Sequence, residues 1–421
     1  MKVLWIVNDP LPEAMSILDG KTVESNSTGS WVCALADAIS SSASDVDLSI
    51  ATPSGKVGKL TVLHGSFITY FIFPEGEGKR RYDRGYEDFC LEIRNAVKPD
   101  VVHIHGTEYP VGLAYVKACG SDNVVVSLQG LVSQIRKEYF GGIGKMTVLR
   151  FISLRDLVRF DTLFRQRRNM DFRGGIEAET IKSVKHVMGR TDWDRSISEG
   201  LNPDVVYHHC DEALRQPFYT GRWSYDACRP HTVFVCQGYY PLKGFHMLLE
   251  AMPRVLAAYP DARIRVAGGN PLRGPGLMNR ILRNGYGRYL AHLIRKFCLD
   301  DKVSFIGECN ADTLKNELLA ANVFLSSSSI ENSSNAICEA QMLGVPVVAS
   351  AVGGTPSLIQ DPGTGTLYDF GDINGLADSI VKAFDNSPSF DGTHERNVAM
   401  ARHDRARIVS EIISLYEDIR S

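Results

Sequence analysis

Short runs of β-branched and other apolar residues alternate with helical stretches along the whole chain. A parallel strand can follow another only through a long crossover, usually a helix, so this alternation predicts a doubly wound, parallel α/β fold. Runs of this kind occur in both halves of the sequence. The predicted strands are residues 2–7, 47–51, 61–73, 100–105, 123–128, 184–188, 232–236, 263–267, 302–306, 322–325 and 345–350.

These strands form two sets, each large enough for a Rossmann-like sheet, and a chain of 421 residues exceeds one ordinary core. The strand pattern lapses within 210–230, where proline and glycine accumulate. We therefore predict an N-terminal domain at 1–210 and a C-terminal domain at 211–403, followed by a helix at 404–421. Ligands bind at the carboxyl ends of parallel strands, so the site is expected in a cleft between the domains.

Composition excludes several classes of protein. The chain is 44% apolar and 23% charged with a net charge of −3, which is typical of a globular protein and indicates no nucleic-acid partner. No apolar stretch approaches the length of a membrane span, and Lys2 leads into a strand rather than a signal-peptide core. The nine scattered cysteines lack C-x2-C spacing, so we expect reduced thiols in a cytoplasmic protein without a structural zinc site.

Two glutamates eight positions apart indicate a binding site. Glu331 lies in a loop after an apolar strand, and Glu339 lies inside the helix that follows. Ser333, Ser334 and Asn335 are all favourable N-cap residues for this helix. A helix N-terminus after a strand directs backbone N–H groups and a positive dipole at one point, which suits a phosphate. A carboxylate can accept hydrogen bonds from sugar hydroxyls, so the pattern predicts a site for a nucleotide diphosphate joined to a polyhydroxylated group.

This segment resembles the signature of the retaining glycosyltransferases of family 4, also called group 1, which use nucleotide sugars. Their pattern is an apolar strand, a serine, E-x7-E and then G-x-P-V-V-A-S-x-x-G-G. The resemblance implies a GT-B fold, in which two Rossmann-like domains face a cleft and the last helix, 404–421, packs back on the first. It also implies that Glu331 is catalytic and that Glu339, Asn332, Ser333, Ser334 and Asn335 bind the donor. The matching residues are Ser329, Glu331, Glu339, Gly344, Pro346, Val347, Val348, Ala349, Ser350, Gly353 and Gly354.

The second domain opens with a strand that ends at Cys236 and leads to Lys243-Gly244. A lysine there can pair with the diphosphate as a point charge, from the side opposite the Glu331 loop. Family members usually carry G-R-x4-K-G at this point, and both basic residues bind phosphate. The arginine position is Gly238 in this chain. Arg190 and Arg273 are the candidates to replace its charge.

The first domain contributes candidates from strand ends. In the resembled family a histidine at the end of the fourth predicted strand approaches the sugar or the acceptor, and His105 is the matching position; a buried core histidine is the alternative. Many relatives have a Gly-Gly turn near the donor phosphate after the first strand. Gly29 and Ser30 correspond to it, because Gly29 permits close backbone approach and Ser30 can cap a helix or bind phosphate.

Residues 145–173 carry a net charge of +5, with eight basic and three acidic side chains, in a chain that is acidic overall. Apolar residues interleave with them at roughly helical spacing. One interpretation is a face that meets anionic lipid headgroups and brings the protein to a membrane-anchored acceptor. The other is a helix packed into the core with a solvated basic side. The sequence does not decide between them.

The expected activity is transfer of a sugar from a UDP- or GDP-sugar to a hydroxyl acceptor with retention of the anomeric configuration. The resemblance implies no cofactor and no metal, a carbohydrate or lipid-linked saccharide acceptor, and a role in cell-surface polysaccharide or glycolipid assembly. The protein is expected in the cytoplasm, and the lipid-binding interpretation of 145–173 would place it peripherally on the inner face of the membrane. A nucleotide-sugar epimerase and a catalytically silent binding subunit remain alternatives. An NAD-dependent dehydrogenase is disfavoured, because no G-x-G-x-x-G follows the first strand.

Overall fold

The structure is a computed structural model that describes residues 1–21, 30–42, 45–76, 82–274 and 276–421. It divides into two compact units. The first unit comprises Met1–Gln134, Met170–Arg215 and His403–Ser421, and the second comprises Ile135–Asn169 and Gln216–Arg402. Each unit contains one predominantly parallel sheet with helices, so the predicted doubly wound α/β fold is confirmed for both.

The sheet of the first unit has the strand order β3-β4-β2-β1-β5-β6-β7-β8. β1 and β5 pair in parallel, with Trp5 opposite His103 in the register. β5 and β6 are buried along their whole length, and apart from His103, His105 and Ser127 their residues are apolar. The strands are β1 (Lys2–Ile6), β2 (Asp47–Ser54), β3 (Thr61–His64), β4 (Ile68–Pro74), β5 (Val101–His105), β6 (Val124–Ser127), β7 (His186–Gly189) and β8 (Val206–His209).

The sheet of the second unit has the order β11-β10-β9-β12-β13-β14, and all its pairs are parallel. β9 lies between β10 and β12, so the loops after β9 and β12 leave the same edge of the sheet side by side. Its strands are β9 (Thr232–Cys236), β10 (Arg263–Ala267), β11 (Val303–Gly307), β12 (Val323–Ser326), β13 (Val347–Ser350) and β14 (Thr366–Tyr368).

The helices of the chain connect these strands. None of those in the described residues is both long and apolar enough to cross a bilayer. They are α1 (Pro12–Asp19), α2 (Ser30–Ser42), α3 (Gly85–Val97), α4 (Val111–Cys119), α5 (Val132–Ile135), α6 (Lys145–Phe151), α7 (Leu154–Val158), α8 (Leu163–Lys182), α9 (Asp192–Leu201), α10 (Phe245–Ala258), α11 (Leu277–Ile281), α12 (Gly285–Lys296), α13 (Ala311–Leu319), α14 (Asn335–Leu343), α15 (Thr355–Leu358), α16 (Ile373–Asn386), α17 (Thr393–Arg402) and α18 (Arg405–Arg420).

Some strand predictions were wrong in extent. The single strand predicted at 61–73 is an antiparallel hairpin of β3 and β4, closed where the Gly65 N–H donates to the Ile68 carbonyl at 2.9 Å. The predicted set omitted β8 and β14. β8 is an edge strand with no buried residue, and β14 has three residues, so neither shows an apolar run.

The last helix, α18, belongs to the first unit and is tied to its sheet by a buried network. Trp5 Nε1 donates to Tyr416 Oη at 3.0 Å, and Tyr416 Oη lies 2.6 Å from His103 Nδ1. The other ring nitrogen of His103 bonds to Ser127 Oγ. Burial lowers the pKa of His103 to about 3, so the ring is neutral and structural.

Residues 135–169, which the predicted boundary put in the first domain, group with the second unit instead. Backbone and side-chain hydrogen bonds hold them there. His246 Nε2 lies 2.9 Å from the Gly141 carbonyl, Asp156 Oδ2 accepts the Gly285 N–H at 2.7 Å, and Arg288 donates to the Ile152 carbonyl at 2.9 Å. These partners are more than 100 residues apart in sequence, and a boundary read from local composition misses such contacts.

A buried acid in the second unit gives a test of stability. Glu395 in α17 is 1% exposed, its carboxylate oxygens have no hydrogen-bond partner among the described residues, and burial raises its pKa well above the ordinary value. The unfolded chain releases this proton as the pH rises above about 4.5, whereas the native chain retains it, so native stability falls with rising pH.

Glu395→Gln removes this titration in both states and is therefore expected to melt about 2–4 °C above the wild type at pH 8. The difference should shrink as the pH is lowered through 4.5, because below this pH the carboxyl of Glu395 is protonated in both states. Differential scanning calorimetry across this range measures it, with the exposed Asp312→Asn as the control. A Glu395→Gln curve parallel to the wild type at every pH would contradict the assignment.

Candidate active site in the second unit

The loops that follow β9 and β12 are hydrogen-bonded to each other. The Ser329 N–H donates to the Leu242 carbonyl at 2.7 Å, and Ser327 Oγ donates to the Lys243 carbonyl at 3.0 Å. The two loops start from neighbouring parallel strands, so they meet at the carboxyl edge of the sheet, where ligands bind in this architecture. The turn containing Lys243 and the loop containing Glu331 therefore form one surface.

Two glycines permit the close approach of backbone at this surface. Gly244 has a φ of +64°, and a Cβ there would lie 1.7 Å from the Ser327 carbonyl oxygen. Gly353 has a φ of +52°, and a Cβ would lie 2.0 Å from the Glu331 carbonyl oxygen. That same oxygen accepts the Gly354 N–H at 3.0 Å, so the Gly-Gly pair of the signature holds the peptide of Glu331 in place.

Lys243 and Glu331 are brought into direct contact, although 88 positions separate them in the sequence. Lys243 Nζ donates to Glu331 Oε1, and Ser328 Oγ donates to the same oxygen at 2.6 Å. Burial acts to lower the pKa of Lys243, but the charge of Glu331, its hydrogen bond and the neighbouring Tyr240 together outweigh it, so the pKa is raised and the ammonium is kept. The ammonium of Lys243 and the carboxylate of Glu331 are thus in direct contact, and both side chains are still partly exposed to solvent.

The start of α14 differs in detail from the prediction. The N-cap is Ser334, whose side chain makes no capping hydrogen bond, and Asn335 is the first helical residue. Ser333 therefore precedes the cap. Asn332 and Ser334 are buried, and Glu339, one turn into the helix, is 2% exposed. The amides at the start of this nine-residue helix follow directly after the Glu331 loop, an arrangement that can bind an anion next to a carboxylate.

Gly238 is closely packed. A Cβ at this position would lie 3.1 Å from side-chain atoms of both Phe245 and Val266, so any larger residue requires them to shift. The preceding Gln237 has a φ of +68°, where the family pattern has its glycine. The order Gly-Arg of the family is thus Gln-Gly here, and the packing explains why an arginine side chain is not accommodated at 238 without rearrangement.

The two candidate replacement arginines have different surroundings. Arg273, in the second unit after β10, is exposed and has a φ of +57°. Arg190, in the first unit, is 7% exposed; it forms an ion pair with Glu212 and donates to the Leu128 carbonyl at 3.1 Å. A carboxylate already matches the charge of Arg190, so Arg190 has less charge to offer a ligand than an exposed arginine has.

His105 lies in the first unit and lines a pocket with Gln129, Arg190 and Glu212. It is 2% exposed, stacks on His103 with ring centroids 3.8 Å apart and meets the edge of Trp5 at 4.4 Å. Burial, followed by the neighbouring His103, lowers its pKa well below the usual value, so its imidazole is neutral. The ring is packed as a buried core histidine would be, and it also borders a pocket. Its approach to a sugar or acceptor stays a prediction.

Two candidates cannot be placed in a site. Gly29 lies outside the described residues, and Ser30 is the first residue of α2. Conversely, Ser328, whose hydroxyl donates to Glu331, was not among the predicted site residues. The sequence signal for this hydroxyl was the run of four serines at 326–329, and nothing in the run distinguishes Ser328 from its neighbours.

Comparisons with known proteins agree with the motif. The family described as Glycosyl transferases group 1 matches residues 229–386, which lie in the second unit. A GDP-mannose-dependent monoacylated alpha-(1-6)-phosphatidylinositol monomannoside mannosyltransferase of Corynebacterium glutamicum is 29% identical over 41% of this chain. A D-inositol 3-phosphate glycosyltransferase of Mycolicibacterium vanbaalenii is 33% identical over 39% of it. The matched segments span 40% and 39% of these relatives' own length.

Solved structures are similar over nearly the whole chain. Sucrose-phosphate synthase of Thermosynechococcus elongatus has a TM-score of 0.72 at 16% identity, covering 99% of this chain and 98% of its own. HepE of Anabaena, in complex with UDP-glucose, has a TM-score of 0.64 at 16% identity, covering 99% and 100%. At this identity the likeness concerns the fold, which is the GT-B arrangement of two Rossmann-like domains.

Proposed function

Because residues 229–386 match the family Glycosyl transferases group 1, we propose that this protein transfers a sugar from a nucleotide diphosphate sugar to a hydroxyl acceptor. The nucleotide is UDP or GDP. The observation that carries the proposal is the contact of Lys243 with Glu331 at the carboxyl edge of a parallel sheet, directly before the amides of α14. A cation, a carboxylate and a helix N-terminus at one point match the charges of a diphosphate and the hydroxyls of a sugar.

Each charged group has a role in this proposal. Lys243 and the amides at the start of α14 hold the diphosphate and stabilise the negative charge that develops on it as it leaves. Asn332 to Asn335 line this part of the site, and Arg273 supplies further charge in place of an arginine at 238. Glu331 accepts hydrogen bonds from the sugar and stabilises the positive charge on its ring. Glu339 fixes the ribose.

We propose that the configuration at the anomeric carbon is retained and that no metal takes part. The bond from the anomeric carbon to the diphosphate breaks, the acceptor oxygen bonds to the same face, and its proton passes to the leaving phosphate. On this path no side chain is the nucleophile. Fixed dipoles and one ammonium stabilise the leaving charge, which is the task that a divalent metal performs elsewhere. His105 of the first unit stays a proposed catalytic residue, as the family resemblance implies.

The acceptor is proposed to be a carbohydrate or a lipid-linked saccharide, and the pathway to be cell-surface polysaccharide or glycolipid assembly. Support comes from the Corynebacterium relative, whose name describes a phosphatidylinositol mannoside acceptor. We propose that the protein acts in the cytoplasm, peripherally on the inner face of the membrane, and that segment 145–173 makes the contact.

Product analysis with donors labelled in the sugar tests the function. Incubation with UDP- and GDP-sugars should release UDP or GDP together with a labelled glycoside or free sugar, and NMR of the product should show the anomeric configuration of the donor. A new labelled nucleotide sugar formed without acceptor would indicate an epimerase. Donor binding without turnover over any acceptor would indicate the silent binding subunit, an alternative favoured by Gly238.

Glu339→Ala is expected to weaken binding of UDP or GDP about tenfold with a smaller effect on kcat, because it removes hydrogen bonds to the ribose that exist before and during the reaction. Isothermal calorimetry with the free nucleotide measures the change. Gln341→Ala is the control, since Gln341 is buried in the same helix but donates to the carbonyls of Leu358 and Thr364. Equal losses of nucleotide affinity in both variants would indicate a general loosening of α14.

A further inference from the structure

An exposed group of apolar side chains occurs on one segment of the second unit. In most proteins large apolar residues are exposed singly rather than in groups. Here Leu154, Val158 and Phe160 are 75%, 78% and 69% exposed. Three further apolar residues of the same segment are also exposed, namely Met146, Leu149 and Leu157. We call this group the apolar tip, and it consists of Met146, Leu149, Leu154, Leu157, Val158 and Phe160.

Hydrogen bonds and buried contacts anchor the segment that carries the apolar tip. Ser153 and Asp156 form a capping box at the start of α7, and Asp156 Oδ2 also accepts the Gly285 N–H at the start of α12. Val148 is buried on the inner side of the same segment. Phe160 has a φ of +49°, which is rare for a bulky residue. The exposure is therefore a property of an ordered, capped element rather than of a fraying end.

Basic side chains accompany the apolar tip. Lys145, Arg150, Arg159, Arg165 and Arg168 are all exposed, and the guanidinium of Arg165 lies 5.5 Å from the centre of the Phe160 ring. The acids in residues 145–169 are Asp156, which is buried in the cap, and Asp161. The exposed surface thus combines apolar side chains with several unmatched positive charges, and it is not the core-packed helix of the alternative interpretation.

We propose that the apolar tip inserts into the headgroup region of a bilayer that contains anionic phospholipids, with the surrounding basic residues on the lipid phosphates. Both components match such a surface: apolar area enters the acyl boundary, and each basic residue gains from the negative surface potential. A second copy of this face is disfavoured because its like charges would repel. The inference rests on the proposed function for its purpose, which is to bring the protein to lipid-linked acceptors.

Co-sedimentation of the full chain with vesicles tests the inference. Vesicles of phosphatidylcholine alone are compared with vesicles that also contain phosphatidylglycerol, at low and high salt and without donor. The wild type should bind the anionic vesicles at low salt. The triple variant Leu154→Ser/Val158→Ser/Phe160→Ser should bind at least about tenfold more weakly at both salt concentrations, since it removes apolar area.

The charge variant Arg159→Glu/Arg165→Glu/Arg168→Glu should bind about a hundredfold more weakly at low salt, because each basic residue contributes roughly fivefold. Phe67→Ser is the matched control, since Phe67 is 77% exposed on the first unit, and it should bind like the wild type. All variants should melt near the wild-type temperature, because the substituted side chains make few buried contacts.

Several results would overturn the inference. They are no wild-type binding to anionic vesicles, binding that the apolar triple variant retains, and a wild-type dimer that this variant converts to a monomer. The failure of the proposed function is separable. A wild type that binds vesicles but never consumes a nucleotide sugar refutes the transferase activity alone. A triple variant that still hydrolyses donor in solution but leaves the membrane supports the inference.

Discussion

Glu331→Gln is expected to lower kcat about a thousandfold while the fold is kept. The substitution preserves the size of the side chain and its ability to accept from Lys243 and Ser328, but it removes the negative charge. The proposed role of that charge is to stabilise a sugar ring that becomes positive as its bond to the diphosphate breaks. The interaction is stronger in the transition state than in the ground state, so kcat should fall and nucleotide affinity should change little.

The matched control is Asp378→Asn. Asp378 also forms an ion pair within the second unit, with Arg254, but the pair is exposed on the surface. This variant should keep wild-type kinetics, because exposed pairs of this kind contribute little. Initial rates with the best donor from product analysis give the comparison. Wild-type kcat in Glu331→Gln would remove Glu331 from the proposed mechanism.

The same variant should alter the pH profile. Burial alone acts to lower the pKa of Lys243, and the charge of Glu331 is the largest of the contributions that together reverse this effect. Without that charge the lowering by burial remains, so the ammonium should lose its proton at a lower pH than in the wild type. The alkaline limb of kcat/KM is therefore expected to move to lower pH in Glu331→Gln, and an unmoved limb would show that Lys243 does not control it.

Lys243→Ala has the second largest expected effect, a loss of about 10²–10³ in kcat together with weaker binding of the nucleotide diphosphate. Within the part of the chain that the structure describes, the Lys243 ammonium is the basic group in contact with Glu331, and its proposed action on the phosphates covers both donor binding and bond breaking. Removing it also leaves the Glu331 carboxylate without its counter-ion near an anionic ligand. Calorimetry with UDP and GDP and steady-state rates measure the two losses separately.

Lys243→Arg should restore little of this activity, because a planar guanidinium cannot occupy the position of a compact ammonium beside Gly244. The control Arg254→Ala removes a basic residue from an exposed pair in the same unit and should leave both readouts unchanged. If Lys243→Ala bound nucleotide and turned over as the wild type does, the diphosphate would have to be held elsewhere in the protein.

Local sequence patterns were sufficient for most elements of the fold. Buried parallel strands such as β5 and β9 are rich in β-branched and other apolar residues, and these were predicted to within a residue at each end. Prediction was poorer where burial is incomplete. The half-buried edge strand β8 shows no such run, and at 61–73 the apolar and polar residues of a hairpin resemble one long strand.

The candidate site divides in the same way. The signature from Ser329 to Gly354 identified the loop of Glu331, the helix of Glu339 and the glycines that a close backbone approach requires, because these lie within one strand–loop–helix unit. The contact between Lys243 and Glu331 was not predicted, nor was the hydroxyl of Ser328 that completes it. The contact of Lys243 with Glu331 forms only when the fold brings together two loops that are far apart in the sequence.

The sequence by itself therefore determined the two parallel sheets and the resemblance of the second one to Glycosyl transferases group 1, since periodicity and the spacing of E-x7-E are properties of neighbouring residues. Only the tertiary structure decided that residues 135–169 join the second unit, that Gly238 is enclosed by Phe245 and Val266, and that the apolar tip faces outward. Those outcomes depend on packing between segments that are far apart in the chain. Local propensity carries no information about such packing.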